Sequence, residues 1–223
     1  MLVDADTNAF NYTIQTGYAM TQRDEPADKP EWRLPATVFV RRGTPRATPV
    51  TLGVSGAKYY TLRYLLAALL ADGVSRVRNP ARSDDTRVLL DALRALGADV
   101  TEEDDADTWT LRITGTGGKL RQPPGNTLAV GNAGAALRML LGVGALLPEI
   151  TFTTDHPQSL GRRPNNDLLA ALAQLGIQAE ANGPEGLLPI TLRGGPPAGG
   201  AITVSGARSS QYLSALLFLA PLL

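Results

Sequence analysis

The 223-residue chain contains no cysteine, which excludes disulfides, thiolate nucleophiles and cysteine-based metal centres. It has one histidine, His156, so a multi-histidine metal site is excluded too, and no metal is expected. Neither charge is in excess, with Lys+Arg and Asp+Glu both totalling 21. The chain as a whole therefore has no pull toward nucleic acid or an anionic membrane, although local basic clusters can still make an anion site. The longest apolar run, Leu213 to Leu223, is too short to span a bilayer. The first residues lack the basic segment and apolar run of a signal peptide. A cytoplasmic protein with no nucleic-acid or membrane partner is expected.

What is present is ordinary in bulk and informative in order. Hydrophobic residues make up 43% of the chain, enough for a sizeable core. Residues 1–35 are mostly polar and read as a flexible extension. Residues 36–48 hold a short strand, Ala36 to Val40, and a turn-rich linker. From residue 49 the chain repeats itself. Val54-Ser55-Gly56-Ala57 ends a strand and opens a helix, as do Val130-Gly131-Asn132-Ala133-Gly134 and Val204-Ser205-Gly206-Ala207. Leu89 to Val100 (LLDALRALGADV) resembles Leu168 to Glu180 (LLAALAQLGIQAE), each helix ending at a glycine that can adopt the left-handed C-terminal cap.

One unit reads strand–helix–strand–helix–strand–strand. The first copy comprises Val50–Val54, Tyr60–Ala71, Ser75–Arg78, Asp84–Leu96, Asp99–Thr101 and Thr108–Thr114. The second comprises Leu128–Val130, Ala135–Leu146, Ile150–Thr153, Asn165–Leu175, Gln178–Ala181 and Pro189–Arg193. A third begins with a strand at Ile202–Val204 and a helix from Ser209, and it is cut short at SALLFLAPLL. The first helix of each unit is apolar nearly all round and is expected to be buried behind outer sheets, while the second is amphipathic. An ordinary layered α/β domain is the plainer alternative.

Residues that can carry chemistry recur at one place, the loop and opening turn of each first helix, where unpaired N–H groups favour anions. SGAKYYTLR supplies Lys58 and Arg63, cations that either bind a ligand or reach solvent. GNAGAALR supplies Gly134, where a ligand can approach backbone, and Arg138, which needs a partner if buried. GARSSQYL supplies Ser209, Ser210 and Gln211, able to cap a helix or hold phosphate oxygens. SLGRRPNNDLL places Arg162 and Arg163 at a helix entry, against the dipole, with Pro164 near its first turn. Together Lys58, Arg63, Arg163, Ser209, Ser210 and Gln211 describe a pocket for one or two small, multiply charged anions. The residues alone name no reaction.

At these positions the chain resembles the EPSP synthase (3-phosphoshikimate 1-carboxyvinyltransferase) family. The lysine loop is matched at Gly56, Lys58 and Arg63, and the GNAG motif at Gly131 to Gly134 with Arg138. The arginine–proline pair is matched at Ser159, Leu160, Arg163 and Pro164, and the SSQ motif at Ser209 to Gln211 ahead of Ser214 to Leu217. RSDDTRVLLDALRALGADV matches the family's Asp-Asp segment. The resemblance implies an α/β enolpyruvyl transferase fold of six such units in two domains, of which residues 49–223 are an incomplete domain of about two and a half units. Residues 36–48 would then belong to the other domain.

The reaction it implies is transfer of the enolpyruvyl group of phosphoenolpyruvate to the 5-hydroxyl of shikimate 3-phosphate, by addition and elimination, with no cofactor. Lys58 and Arg163 would grip phosphoenolpyruvate, with Gly134 beside it and Gln211 between the ligands. Arg63, Ser209 and Ser210 would hold shikimate 3-phosphate. The acid and base residues would lie in a second half, which as a separate C-terminal chain would be a partner. Tyr59 stands where the family has serine, Ala135 where it has threonine and Met139 where it has proline. Other readings are a relative of UDP-N-acetylglucosamine enolpyruvyl transferase, whose usual catalytic cysteine is absent here, and a non-catalytic anion-binding module.

Overall fold

Each of the two repeated sequences folds into the same order of strands. In the computed structural model, which describes residues 12–16, 38–42, 56–105 and 108–223, the chain divides into Met1–Gly53 and Val54–Leu223. In the first unit, β1 (Tyr12–Thr16) pairs antiparallel with β2 (Val38–Arg42), in register Ile14↔Val40. The strand expected at Ala36 to Val40 thus lies two residues further on, and β1 falls inside the stretch read as an extension. The strand expected at Val50–Val54 lies outside the described residues.

In the second unit, the first copy runs α1 (Lys58–Leu70), β3 (Val74–Arg78), α2 (Asp84–Ala95), β4 (Asp99–Asp105), β5 (Thr108–Thr114). The second copy runs β6 (Thr127–Ala129), α3 (Gly134–Gly144), β7 (Glu149–Thr153), α4 (Asn166–Ala173), β8 (Gln178–Asn182), β9 (Leu187–Arg193). The sheets are ordered β3-β5-β4 and β6-β7-β9-β8, so the last strand of each copy sits between its two predecessors. Val77↔Leu111 and Phe152↔Ile190 put equivalent apolar pairs on the inner faces. The match extends to single atoms. Gly115 follows β5 and Gly195 follows β9; a Cβ on either would stand 2.2–2.3 Å from a helix-end carbonyl, Ala68 O and Ala145 O respectively.

Burial follows composition. Helix α3 carries Leu137, Met139, Leu140, Leu141 and Val143, all buried, and its small residues let neighbours pack closely. A Cβ on Gly142 would be 2.5 Å from Ala215 O of α5 (Ser210–Leu219), so these helices touch backbone to backbone. Phe152, Ile150 and Ile190 close the core from the sheet side. On the outer edge, Arg193 donates to Glu180 and Glu149, which raises its pKa above the ordinary arginine value.

Two expectations are corrected. Residues 202–204 form no strand; instead the Thr203 N–H donates to Gln174 Oε1 at 2.9 Å and Gln174 Nε2 donates to Thr203 O at 2.9 Å. A side-chain amide here substitutes for a strand partner. The apolar first helices are also not equally buried. Helix α3 is enclosed, whereas α1 exposes Tyr59, Tyr60 and Tyr64, and α5 exposes Leu213 and Leu217.

Candidate functional site

Helices α1 and α3 begin without a side-chain cap, at Ala57 and Ala133, so no side chain takes their first-turn N–H groups, although that of Gly134 donates to Asn132 O at 3.1 Å. Helices α2 and α5 are capped, by Ser83 accepting from Thr86 N and Ser209 from Gln211 N. The two uncapped starts border a cleft of about 520 Å³. Lys58, Gly134, Arg163 and Gln211 all line it, together with Arg138. Four of the seven residues singled out in the sequence are thereby brought together.

Each cation is held differently. Lys58 Nζ lies 2.8 Å from Asp85 Oδ2, on the first turn of α2, with Lys58 half-exposed and Asp85 largely covered. Arg138 donates to Gln211 Oε1 at 2.8 Å, and its guanidinium sits 5.4 Å from the centre of the Tyr212 ring. Tyr212, fully buried, donates its hydroxyl to Pro164 O at 2.8 Å. Asn165 fixes the other side of that loop by donating to Arg163 O at 2.9 Å and Gly186 O at 3.0 Å. The loop backbone around Arg163 is clamped while no partner holds its guanidinium among the described residues. Pro164 precedes the N-cap residue Asn165 rather than opening α4, because that clamp requires an extended turn first.

The remaining three residues do not line this cleft. Arg63, a turn further along α1, donates to Tyr59 O and to Ser214 Oγ of α5, both at 3.0 Å. Ser209 is occupied as the cap of α5. Ser210 is exposed, and its carbonyl accepts from Ser214 Oγ at 3.3 Å. Sequence reasoning recognised the Asp-Asp segment without giving Asp85 a role, and passed over Asn165 and Tyr212. Asp85 was detectable as a carboxylate at a helix start; the other two act only through loop geometry. The cleft also holds Asp84, Asp155 and His156.

The family model for EPSP synthase (3-phosphoshikimate 1-carboxyvinyltransferase) matches residues 45–223. The chain belongs to the EPSP synthase family. A relative from Deinococcus radiodurans, named 3-phosphoshikimate 1-carboxyvinyltransferase, is 47% identical over 190 residues, covering 85% of this chain and 41% of the relative. One of the same name from Methanothermobacter thermautotrophicus is 39% identical over 180 residues, covering 81% and 39%. The solved EPSP synthase of Acinetobacter baumannii superposes with a TM-score of 0.62 at 25% identity, over 75% of this chain and 37% of that one. The chain spans about two fifths of the length of the curated relatives it matches. The α/β fold of repeated units is that of EPSP synthases. No helix among the described residues is long and apolar enough to cross a membrane.

Proposed function

We propose that the chain supplies the phosphoenolpyruvate side of an EPSP synthase site, for transfer of the enolpyruvyl group to the 5-hydroxyl of shikimate 3-phosphate. The observation that carries this reading is the convergence of Lys58, Gly134, Arg163 and Gln211 on one cleft, beside two uncapped helix starts. In it, Lys58 and Arg163 take the phosphate and carboxylate of phosphoenolpyruvate, since a guanidinium with free donors suits a planar anion. Gln211, fixed by Arg138, lies between the two ligands. Arg63, Ser209 and Ser210, on the adjoining faces of α1 and α5, take shikimate 3-phosphate.

The hydroxyl gives up its proton to a base as its oxygen adds to C2 of phosphoenolpyruvate and a proton from an acid reaches C3; loss of phosphate from C2 and of one methyl proton from C3 restores the double bond. Cations fixed before the reaction stabilise the charge carried by the phosphate and carboxylate through both steps. The proton-transfer groups are assigned to the complementary part of the fold, supplied by a continuation of this chain or a second polypeptide. Residues 49–223 then form part of one enolpyruvyl transferase domain.

Calorimetry tests the reading. The chain should bind shikimate 3-phosphate or phosphoenolpyruvate, lose phosphoenolpyruvate on Arg163→Ala, and release phosphate once a complementary C-terminal polypeptide is added. Binding of UDP-N-acetylglucosamine in place of shikimate 3-phosphate would move the assignment to the sister transferase. Binding never rescued to turnover by any complementary half would leave an anion-binding module.

A further inference from the structure

The cleft that has to take a multiply charged anion carries no formal excess of positive charge. Its cations are Lys58 from α1, Arg138 from α3 and Arg163 from the loop before α4; its carboxylates are Asp84 and Asp85 from α2 and Asp155 from the loop after β7. Three of each cancel. The remaining group on its lining that can gain a positive charge, His156, therefore decides the sign.

His156 is held rather than loose. Its backbone N–H donates to Thr154 Oγ1 at 2.9 Å, and its carbonyl accepts from Ser159 N and Gly161 N at 3.1 and 3.0 Å. Thr154 in turn donates to Gly131 O beneath the cleft, and the same loop ends at Arg163. The imidazole Nδ1 lies 3.3 Å from Asp155 Oδ1, which leaves Nε2 to gain a proton, and Nε2 has no partner among the described residues. Imidazole is the side chain whose charge changes between about pH 5 and 8.

We propose that His156 is a proton-dependent cation of the anion cleft, adding the charge that lets the site prefer a dianionic phosphate or sulfate group. This rests on the anion-cleft reading above. The charged groups that share the lining with the imidazole are the neighbouring carboxylate Asp155, the carboxylates of α2 and the three cations already named. The α2 carboxylates are partly spent, since Asp85 is paired with Lys58. Protonation takes the lining from neutral to net positive, and an added charge on a half-exposed side chain strengthens binding of a dianion several-fold, the scale of a solvent-screened ion pair.

Sulfate is the suitable probe, because it stays doubly charged throughout the range in which imidazole titrates. Calorimetric affinity of the chain for sodium sulfate should rise several-fold from about pH 8 to about pH 5.5. His156→Gln, which keeps the backbone hydrogen bonds, should flatten that dependence, with its folding checked by an unchanged melting transition. Because the chain has a single histidine, its imidazole proton signal can be followed alone by NMR; saturating sulfate should move its titration to higher pH, as linkage requires. A flat wild-type profile, or an unchanged slope in His156→Gln, overturns the proposal while leaving the anion cleft in place if Arg163→Ala still weakens sulfate. No sulfate binding at any pH overturns both.

Discussion

Arg163 occupies the space that a side chain on Gly134 would need: a Cβ at residue 134 would stand 2.8 Å from Arg163 Nη1. The atom it meets is the far end of a flexible side chain, so the fold can yield at small cost, but only by moving the guanidinium. Gly134→Ala is therefore expected to change stability by less than about 1 kcal/mol, as an accommodated helical Gly-to-Ala change can. It should also weaken phosphoenolpyruvate or sulfate binding roughly tenfold, the loss of one charge-assisted pair. Thermal melting and calorimetry on the same sample separate the two effects. Wild-type affinity in the variant would remove Arg163 from the ligand set.

Lys58 and Asp85 form an ion pair within the cleft lining. An incoming anion must compete with the carboxylate for Nζ. Asp85→Asn should release Nζ and tighten sulfate binding several-fold. The pair is partly exposed and Asp85 sits at the N-terminus of α2, so its loss should cost about 1 kcal/mol, the sum of a weak ion pair and a dipole contribution. Denaturant unfolding and sulfate titration would check both signs. Weaker sulfate binding would mean that Asp85 serves chiefly to aim the lysine.

How much of this was legible in the sequence depended on whether a residue acts through its neighbours in the chain or across it. The repeat was readable because apolar spacing and terminal glycines are local: Thr108–Thr114 is β5 to the residue, and Asp84 starts α2 as expected. The 202–204 strand was misread because its apolar pattern is that of a strand, yet the hydrogen-bond partner available is the side chain of Gln174. In the site, Lys58 and Arg163 were found from their placement at helix entries. Arg63 was grouped with them as a cation at the opening of the same helix, but one further turn of α1 carries it toward Ser214. Tyr212 was invisible because its role depends on a carbonyl 48 residues away.

Ser209 offers a test of whether the SSQ run caps or binds. Its Oγ accepts from Gln211 N at 3.2 Å, a capping bond worth about 1 kcal/mol when removed. Ser209→Ala should lower stability by about that amount and leave sulfate affinity in the cleft unchanged, since Ser209 does not line it. A separate loss of shikimate 3-phosphate binding, measured well below the unfolding transition, would assign the hydroxyl to that substrate. Equal binding in variant and wild type would leave Ser209 as a cap alone.

Two leucines of the same size distinguish the enclosed helix from the half-exposed one. Leu140 on α3 is completely buried, while Leu217 on α5 is 62% exposed. Leu140→Ala removes a side chain from close-packed surroundings that relax only partly, and should cost about 2–5 kcal/mol. Leu217→Ala leaves no cavity and should stay within about 0.5 kcal/mol. Urea midpoints at constant m-value measure the difference directly. If both variants lose stability alike, the outer face of α5 is packed against protein in solution, and Leu217 belongs to an interface rather than to the surface.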